Sequence, residues 1–161
     1  MLIWVIIASL VVLLDQLAKI LVIYNIGPTD CIHIIPGLFD FVYVKNTGAA
    51  FSILSENTGI LSIVSIVFCV GVLWYWYTKK PANVLLKTSL CLLFAGALGN
   101  AIDRIWRGFV VDFISTAFMN FPVFNIADIA ITFGAALLII YFIFFDKDEK
   151  NGENNTSGIK S

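Results

Sequence analysis

Four long, mainly apolar runs dominate this chain: Leu2 to about Tyr24, Gly59 to Tyr77, Val84 to Ala101, and Ile126 to Phe145. A bilayer core about 30 Å thick is crossed by about 20 apolar residues in helical form. Hydrocarbon offers no hydrogen-bond partner, so a spanning backbone must satisfy itself as a helix or a closed barrel, and continuous rather than alternating apolarity selects the helix. The separators are turn formers and charges: Gly27-Pro28 and Pro36-Gly37, then Lys79-Lys80-Pro81, then the stretch from Gly108 to Pro122. With 60% hydrophobic and 13% charged residues, the 161-residue chain has too few polar side chains to coat a soluble globule. A net charge of −1 gives no footing for nucleic acid. The expected fold is an all-α membrane protein with four transmembrane helices. Residues 1–145 are expected to form one membrane domain and 146–161 a disordered polar tail.

Basic residues set the expected orientation. Lys79, Lys80 and Lys87 flank the short second connection and Lys147, Lys150 and Lys160 lie in the tail, against Lys45, Arg104 and Arg107 on the other side. The positive-inside rule then puts both termini in the cytoplasm and the long first and third connections outside. Trp74-Tyr75-Trp76-Tyr77 is the expected aromatic belt on the inner side. The first run lacks a basic leader and is interrupted by Asp15 and Lys19, so it is read as a retained helix rather than a cleaved signal. In the first outer connection Phe39, Phe41 and Tyr43 alternate with Asp40, Val42 and Val44, a strand period, and Asn46-Thr47-Gly48 follows as a turn. A small sheet on the outer surface is expected.

Much familiar chemistry is missing. Cys31, Cys69 and Cys91 are far apart with no CxxC pair, so zinc-ribbon and redox motifs are absent. His33 is the single histidine and is expected at the surface or in packing. Serine-hydrolase, Walker and dinucleotide motifs do not occur.

What remains is a set of polar residues in costly places. An ionisable group at the centre of a span costs roughly 2.5–3.5 kcal/mol on insertion scales, so each needs a partner or a job. Asp15 and Lys19 stand four apart on one helix face, acid first, which suits either an ion pair or the orienting of something at the outer end. Asn100 and Arg104 share a face at the end of the third run, where Gly96 and Gly99 allow a neighbour close approach, and Asp103 can pair with Arg107. Asp112 sits between apolar neighbours, and Asp128 opens the fourth run three residues after Asn125. Two carboxylates about 4 Å apart repel by about 4 kcal/mol at an effective dielectric of about 20. That is enough to keep one protonated and one ionised, the state aspartic-protease chemistry uses. Hydrogen-bond caps or cation ligands would use the same two residues. A transporter or a membrane scaffold also competes, although transporter acids usually lie near the midplane and in internal repeats.

Five blocks together resemble the lipoprotein signal peptidase (signal peptidase II) family: Asp15-Gln16-Leu17-Ala18-Lys19; Asn46-Thr47-Gly48-Ala49-Ala50-Phe51; Gly96 through Arg104; Val111-Asp112-Phe113; and Phe124-Asn125-Ile126-Ala127-Asp128. Ala18 and Ala95 depart from the family's usual residues without removing an ionisable group. The resemblance implies an aspartyl endopeptidase with Asp112 and Asp128 as the catalytic dyad. It implies supporting or substrate-binding roles for Asp15, Lys19, Asn46, Gly48, Asn100, Arg104 and Asn125. It further implies a diacylglyceryl-modified prolipoprotein as substrate, cut just before the lipid-bearing cysteine, and no cofactor. Inhibition by globomycin-like cyclic peptides and a small extracytoplasmic β-sheet cradle over the site are implied as well. A monomer in the bacterial cell membrane, with its site at the outer face, is the expected form.

Overall fold

A computed structural model describes residues 1–48 and 57–145. Ala49-Ala50-Phe51 of the second block and the tail from residue 146 onward lie outside the described residues. Within them the order is α1 (Leu2–Asn25), β1 (Cys31–Ile35), β2 (Phe39–Asn46), α2 (Thr58–Lys79), α3 (Val84–Arg107), β3 (Val110–Thr116) and α4 (Ile126–Phe144). All four helices are long and apolar enough to cross a membrane.

α3 is the central helix. Of its most apolar eighteen-residue window 61% is buried, against 17%, 17% and 22% for α1, α2 and α4, and it packs against all three. It is also the least hydropathic of the four, because a helix surrounded by protein need not present hydrocarbon to lipid. The large apolar side chains of α1, α2 and α4, such as Leu13, Val67 and Phe142, face outward instead. Small residues let α3 and α4 approach closely. A Cβ on Gly96 would fall on the Ala127 carbonyl oxygen and within 2.6 Å of Ile131 Cγ1, and one on Gly99 would meet Asp15 Oδ2 at 2.9 Å.

Helix ends follow from local chemistry. Asn83 caps α3, its side-chain oxygen accepting from the amides of Leu85 (2.8 Å) and Leu86 (3.4 Å). Gly108, at φ +77°, closes the other end in the left-handed conformation. The apolar run suggests that α3 stops near Ala101; it continues to Arg107. The extra turns are polar, but their charges find partners, so the helix persists past the hydrocarbon boundary and carries Asn100, Asp103, Arg104 and Arg107 on one rigid body.

The sheet has the order β1-β2-β3, antiparallel throughout. β2 is the strand that alternation predicts, extended through Asn46, whose side-chain oxygen accepts from the Gly48 amide at 2.9 Å to make the turn. β1 and β3 have no such signature. β3 runs through the connection read from sequence as breakers only, and its first four residues are all buried, so no period-two pattern exists to betray it. Val111 and Phe113 join Val22 of α1 and Ile26 just past its end in a cluster that includes Phe41 and Tyr43 of β2. The sheet is thereby seated on the end of α1.

Candidate active site

Charges gather where α1, α3 and α4 meet the sheet, in two adjoining groups. In the first, Lys19 is fully buried. Its Nζ donates to Asp15 Oδ2 (2.8 Å), Asp103 Oδ2 (3.0 Å) and Asn100 Oδ1 (3.0 Å). Asp15 and Asp103 are fully buried too. Asp15 Oδ1 accepts from the Ala127 amide (2.9 Å), satisfying one of the unpaired donors in the first turn of α4. Asp103 Oδ2 accepts from the Val111 amide (3.0 Å) and its other oxygen pairs with Arg107. Gln16 spans the group, donating to Asp15, Gly99 and Asp103 and accepting from Arg107. Two acids thus meet two bases. The pairing expected of Asp15 with Lys19 and of Asp103 with Arg107 is present, but each residue also reaches a second element. One group therefore fixes α1, α3, the start of β3 and the start of α4 together.

The second group contains Asp112 and Asp128. Asp112 sits in β3, where its Oδ1 accepts from Asn125 Nδ2 (2.7 Å) and its Oδ2 from Asn46 Nδ2 (2.8 Å). Asp128 is the third residue of α4 and half of a capping box. The Asn125 side chain accepts from its amide at 2.9 Å, and Asp128 Oδ2 accepts from the Asn125 amide at 3.2 Å. Asp128 Oδ1 accepts from Asn100 Nδ2 at 2.7 Å. Each aspartate is therefore gripped through both oxygens. Asn125, fully buried, holds Asp112 by its side chain and Asp128 by its backbone. A short bridge between Ile114 and Phe124 folds the chain back so that Asn125 arrives beside β3.

Both aspartates line one open cleft of about 700 Å³, together with Asn46, Asn100 and Arg104 and the apolar side chains of Val44, Phe121 and Ile129. Arg104 Nη2 donates to the Gly48 carbonyl (3.2 Å), which ties the turn after β2 to α3. Its Nε is buried and has no hydrogen-bond partner among the described residues. Burial pushes the Asp112 carboxyl up to about 6. The Asp128 charge pushes the same way, while the hydrogen bonds from Asn46 and Asn125 and the positive charge of Lys19 pull it down.

The nine residues expected from sequence to be catalytic, substrate-binding or supporting fall in these two groups: Asp112, Asp128, Asn46, Asn100, Asn125, Arg104 and Gly48 around the cleft, Asp15 and Lys19 behind it, joined there by the expected pair Asp103 and Arg107. Gln16 also belongs to the first group and was not among them. Its only signal was its place between Asp15 and Lys19, and nothing in a lone sequence says that it reaches α3.

Comparison with known proteins identifies the family. Residues 7–144 match the family model described as signal peptidase (SPase) II. The chain is 35% identical to a lipoprotein signal peptidase of Enterococcus faecalis, covering 94% of each protein. It is 42% identical to one of Shewanella halifaxensis, covering 98% of this chain and 93% of the relative. A solved structure described as a bacterial membrane enzyme superposes with a TM-score of 0.84 at 36% identity, over 92% of this chain and 90% of the other. Four apolar helices, the three-stranded sheet and the polar blocks in order thus have one account: this multi-pass membrane protein belongs to the signal peptidase II family.

Proposed function

We propose that the chain is an aspartic endopeptidase that removes the signal peptide from diacylglyceryl-modified prolipoproteins, cutting just before the lipid-bearing cysteine, with Asp112 and Asp128 as its dyad. The observation that carries this reading is charge balance. Asp15, Lys19, Asp103 and Arg107 neutralise one another, which leaves Arg104, among the described residues, as the one base facing two cleft carboxylates. One proton on the pair makes the cleft neutral. A singly protonated pair is the resting form that this hydrolysis requires.

The ionised carboxylate takes a proton from water as the water oxygen bonds to the peptide carbonyl carbon. The protonated carboxyl gives its proton to the carbonyl oxygen, and a neutral gem-diol results. On collapse the C–N bond breaks, and the leaving nitrogen takes the proton that came from water. A diol hydroxyl returns a proton to the second carboxylate, which regenerates the resting pair. Asn46, Asn100 and Asn125 hold the two carboxyl groups in register, so little reorganisation is needed in the transition state. Cations placed mainly on the second connection and the tail support cytoplasmic termini and an outward-facing cleft. A substrate held by its acyl chains in lipid is confined to that surface, which lowers the entropic cost of positioning its scissile bond. A globomycin-like cyclic peptide would occupy the same cleft, and one chain carries all the proposed residues, consistent with a monomer.

The test uses purified protein in nanodiscs and a synthetic prolipoprotein with and without the diacylglyceryl group. Cleavage of the lipidated form alone, abolished in folded Asp112→Asn and Asp128→Asn, is the expected result. Cleavage that survives either substitution would reassign the dyad. No cleavage by the folded native protein would remove the peptidase reading.

A further inference from the structure

The outer hairpin brings together a second set of reactive side chains, which shares no residue with the cleft. Cys31 and His33 are two apart on β1, and in a strand that spacing points both side chains to one face. β1 pairs antiparallel with β2, and His33 stands opposite Asp40. A thiol sulfur, an imidazole nitrogen and a carboxylate oxygen therefore converge, all within 4.8 Å of one another. His33 Nδ1 lies 2.6 Å from Asp40 Oδ1. Cys31 and His33 are exposed and Asp40 is half-buried. From sequence alone the absence of a CxxC pair argued against zinc; the trio is assembled instead by strand register, which cysteine spacing does not report.

We propose that Cys31, His33 and Asp40 form a binding site for a borderline transition-metal cation of the Zn²⁺ class, with solvent completing the coordination. Sulfur, nitrogen and oxygen donors in one set suit Zn²⁺, whereas Mg²⁺ and Ca²⁺ take all-oxygen shells. On loading, the thiol releases its proton to solvent and the thiolate sulfur bonds the ion, while neutral imidazole and carboxylate supply the other two bonds. Ligand atoms each about 2.0 Å from a tetrahedral ion lie about 3.3 Å apart, so the His33–Asp40 contact must open slightly. The His33 side chain is 69% exposed and free to make that adjustment. The bound ion staples β1, an edge strand exposed along its whole length, to β2.

The test titrates the full-length protein in detergent with Co²⁺ as a spectroscopic stand-in and then displaces it with Zn²⁺. One equivalent should produce a thiolate-to-cobalt charge-transfer band that Zn²⁺ removes. Cys31→Ser should abolish the band, and Cys31→Ser and His33→Ala should each weaken Zn²⁺ binding at least tenfold, with melting temperatures unchanged in the metal-free state. Cys69 and Cys91 are buried in the bundle, so a band lost in Cys31→Ser belongs to the hairpin. A band that persists in Cys31→Ser, Zn²⁺ affinities within twofold of native in both variants, or no saturable binding by the native protein would each overturn the proposal.

Discussion

Asp15 and Asp103 share a buried lysine, whereas Asp112 and Asp128 share a cleft in which Arg104 is the one base among the described residues. Both pairs sit at the same end of α3, and both are held by amides as well as charges. They differ in access and in balance. The first pair is sealed, each acid with a base within 3.0 Å, and a buried ion pair of that kind fixes geometry rather than doing chemistry. The second pair has one cation too few and an open side. Charge matching, more than burial, is what separates scaffold from candidate machinery here, because desolvated charges without partners are retained only where something uses them.

The sharpest way to break that distinction is to neutralise one member of each group. Asp112→Asn keeps the shape and one of the two amide contacts but removes a carboxyl that can take or give a proton. Cleavage of lipidated substrate should fall by at least about 10³-fold, the range of a lost acid–base group, while the one unmet amide donor costs only about 1–3 kcal/mol of stability. Asp128→Asn should behave alike. Lys19→Met should do the reverse of a clean active-site variant. It strands Asp15 and Asp103 without their shared cation and should cost about 3–5 kcal/mol of stability, read as loss of folded protein in thermal or denaturant melts. Equal melting curves for Lys19→Met and Asp112→Asn would erase the contrast.

A smaller effect tests how far the sealed group positions the open one. Gly96→Ala sets a methyl against the Ala127 carbonyl, one residue before Asp128. Overpacking of this kind costs about 1–3 kcal/mol, and here the strain falls on the turn that carries Asp128. Cleavage should therefore drop even under conditions where the variant is fully folded. A variant that melts lower but cleaves at the native rate would show that α4 can shift without disturbing the cleft.

Much of this contrast is legible in the residue order, though unevenly. The four spans can be read within a few residues because lipid imposes length and apolarity on each helix independently, as the limits of α2 show against the run from Gly59 to Tyr77. The identity of the polar residues is legible for the same reason: Lys19 or Asp103 stands out against hydrocarbon. Partners one turn away on the same helix are legible too, as Asp15 with Lys19 and Asp103 with Arg107 show, but partners on other elements are not. That Lys19 reaches Asn100, or that Asp15 caps α4 at Ala127, depends on how helices far apart in the chain are docked. β3 is invisible for a different reason, since a strand buried on both faces has no alternation and Val110-Val111 reads equally as the tail of an apolar run. The end of α3 is hidden because its last turns are polar yet partnered, so hydropathy ends before the helix does.

The finest test concerns the proton on the open pair. Asp112 is held at about 6, above the ordinary carboxylate value of 3.8, chiefly by burial. The folded state thus favours its protonated form. Stability from this group is fully present below about 3.8 and is lost as pH climbs through about 6. For catalysis the same proton matters, because a doubly ionised pair has no acid to give the carbonyl. The dyad titrates as a unit, and kcat/KM should fall on its alkaline side as that shared proton leaves, at a pH above the ordinary carboxylate range. Asn46 donates to Asp112 Oδ2 and pulls the other way, so Asn46→Ala should move the alkaline limb upward, by less than about one pH unit for a single neutral hydrogen bond. The rate at the plateau should change less than in either aspartate variant. A limb that stays fixed in Asn46→Ala, or moves down, would mean that the titrating proton does not reside on the pair that Asn46 touches.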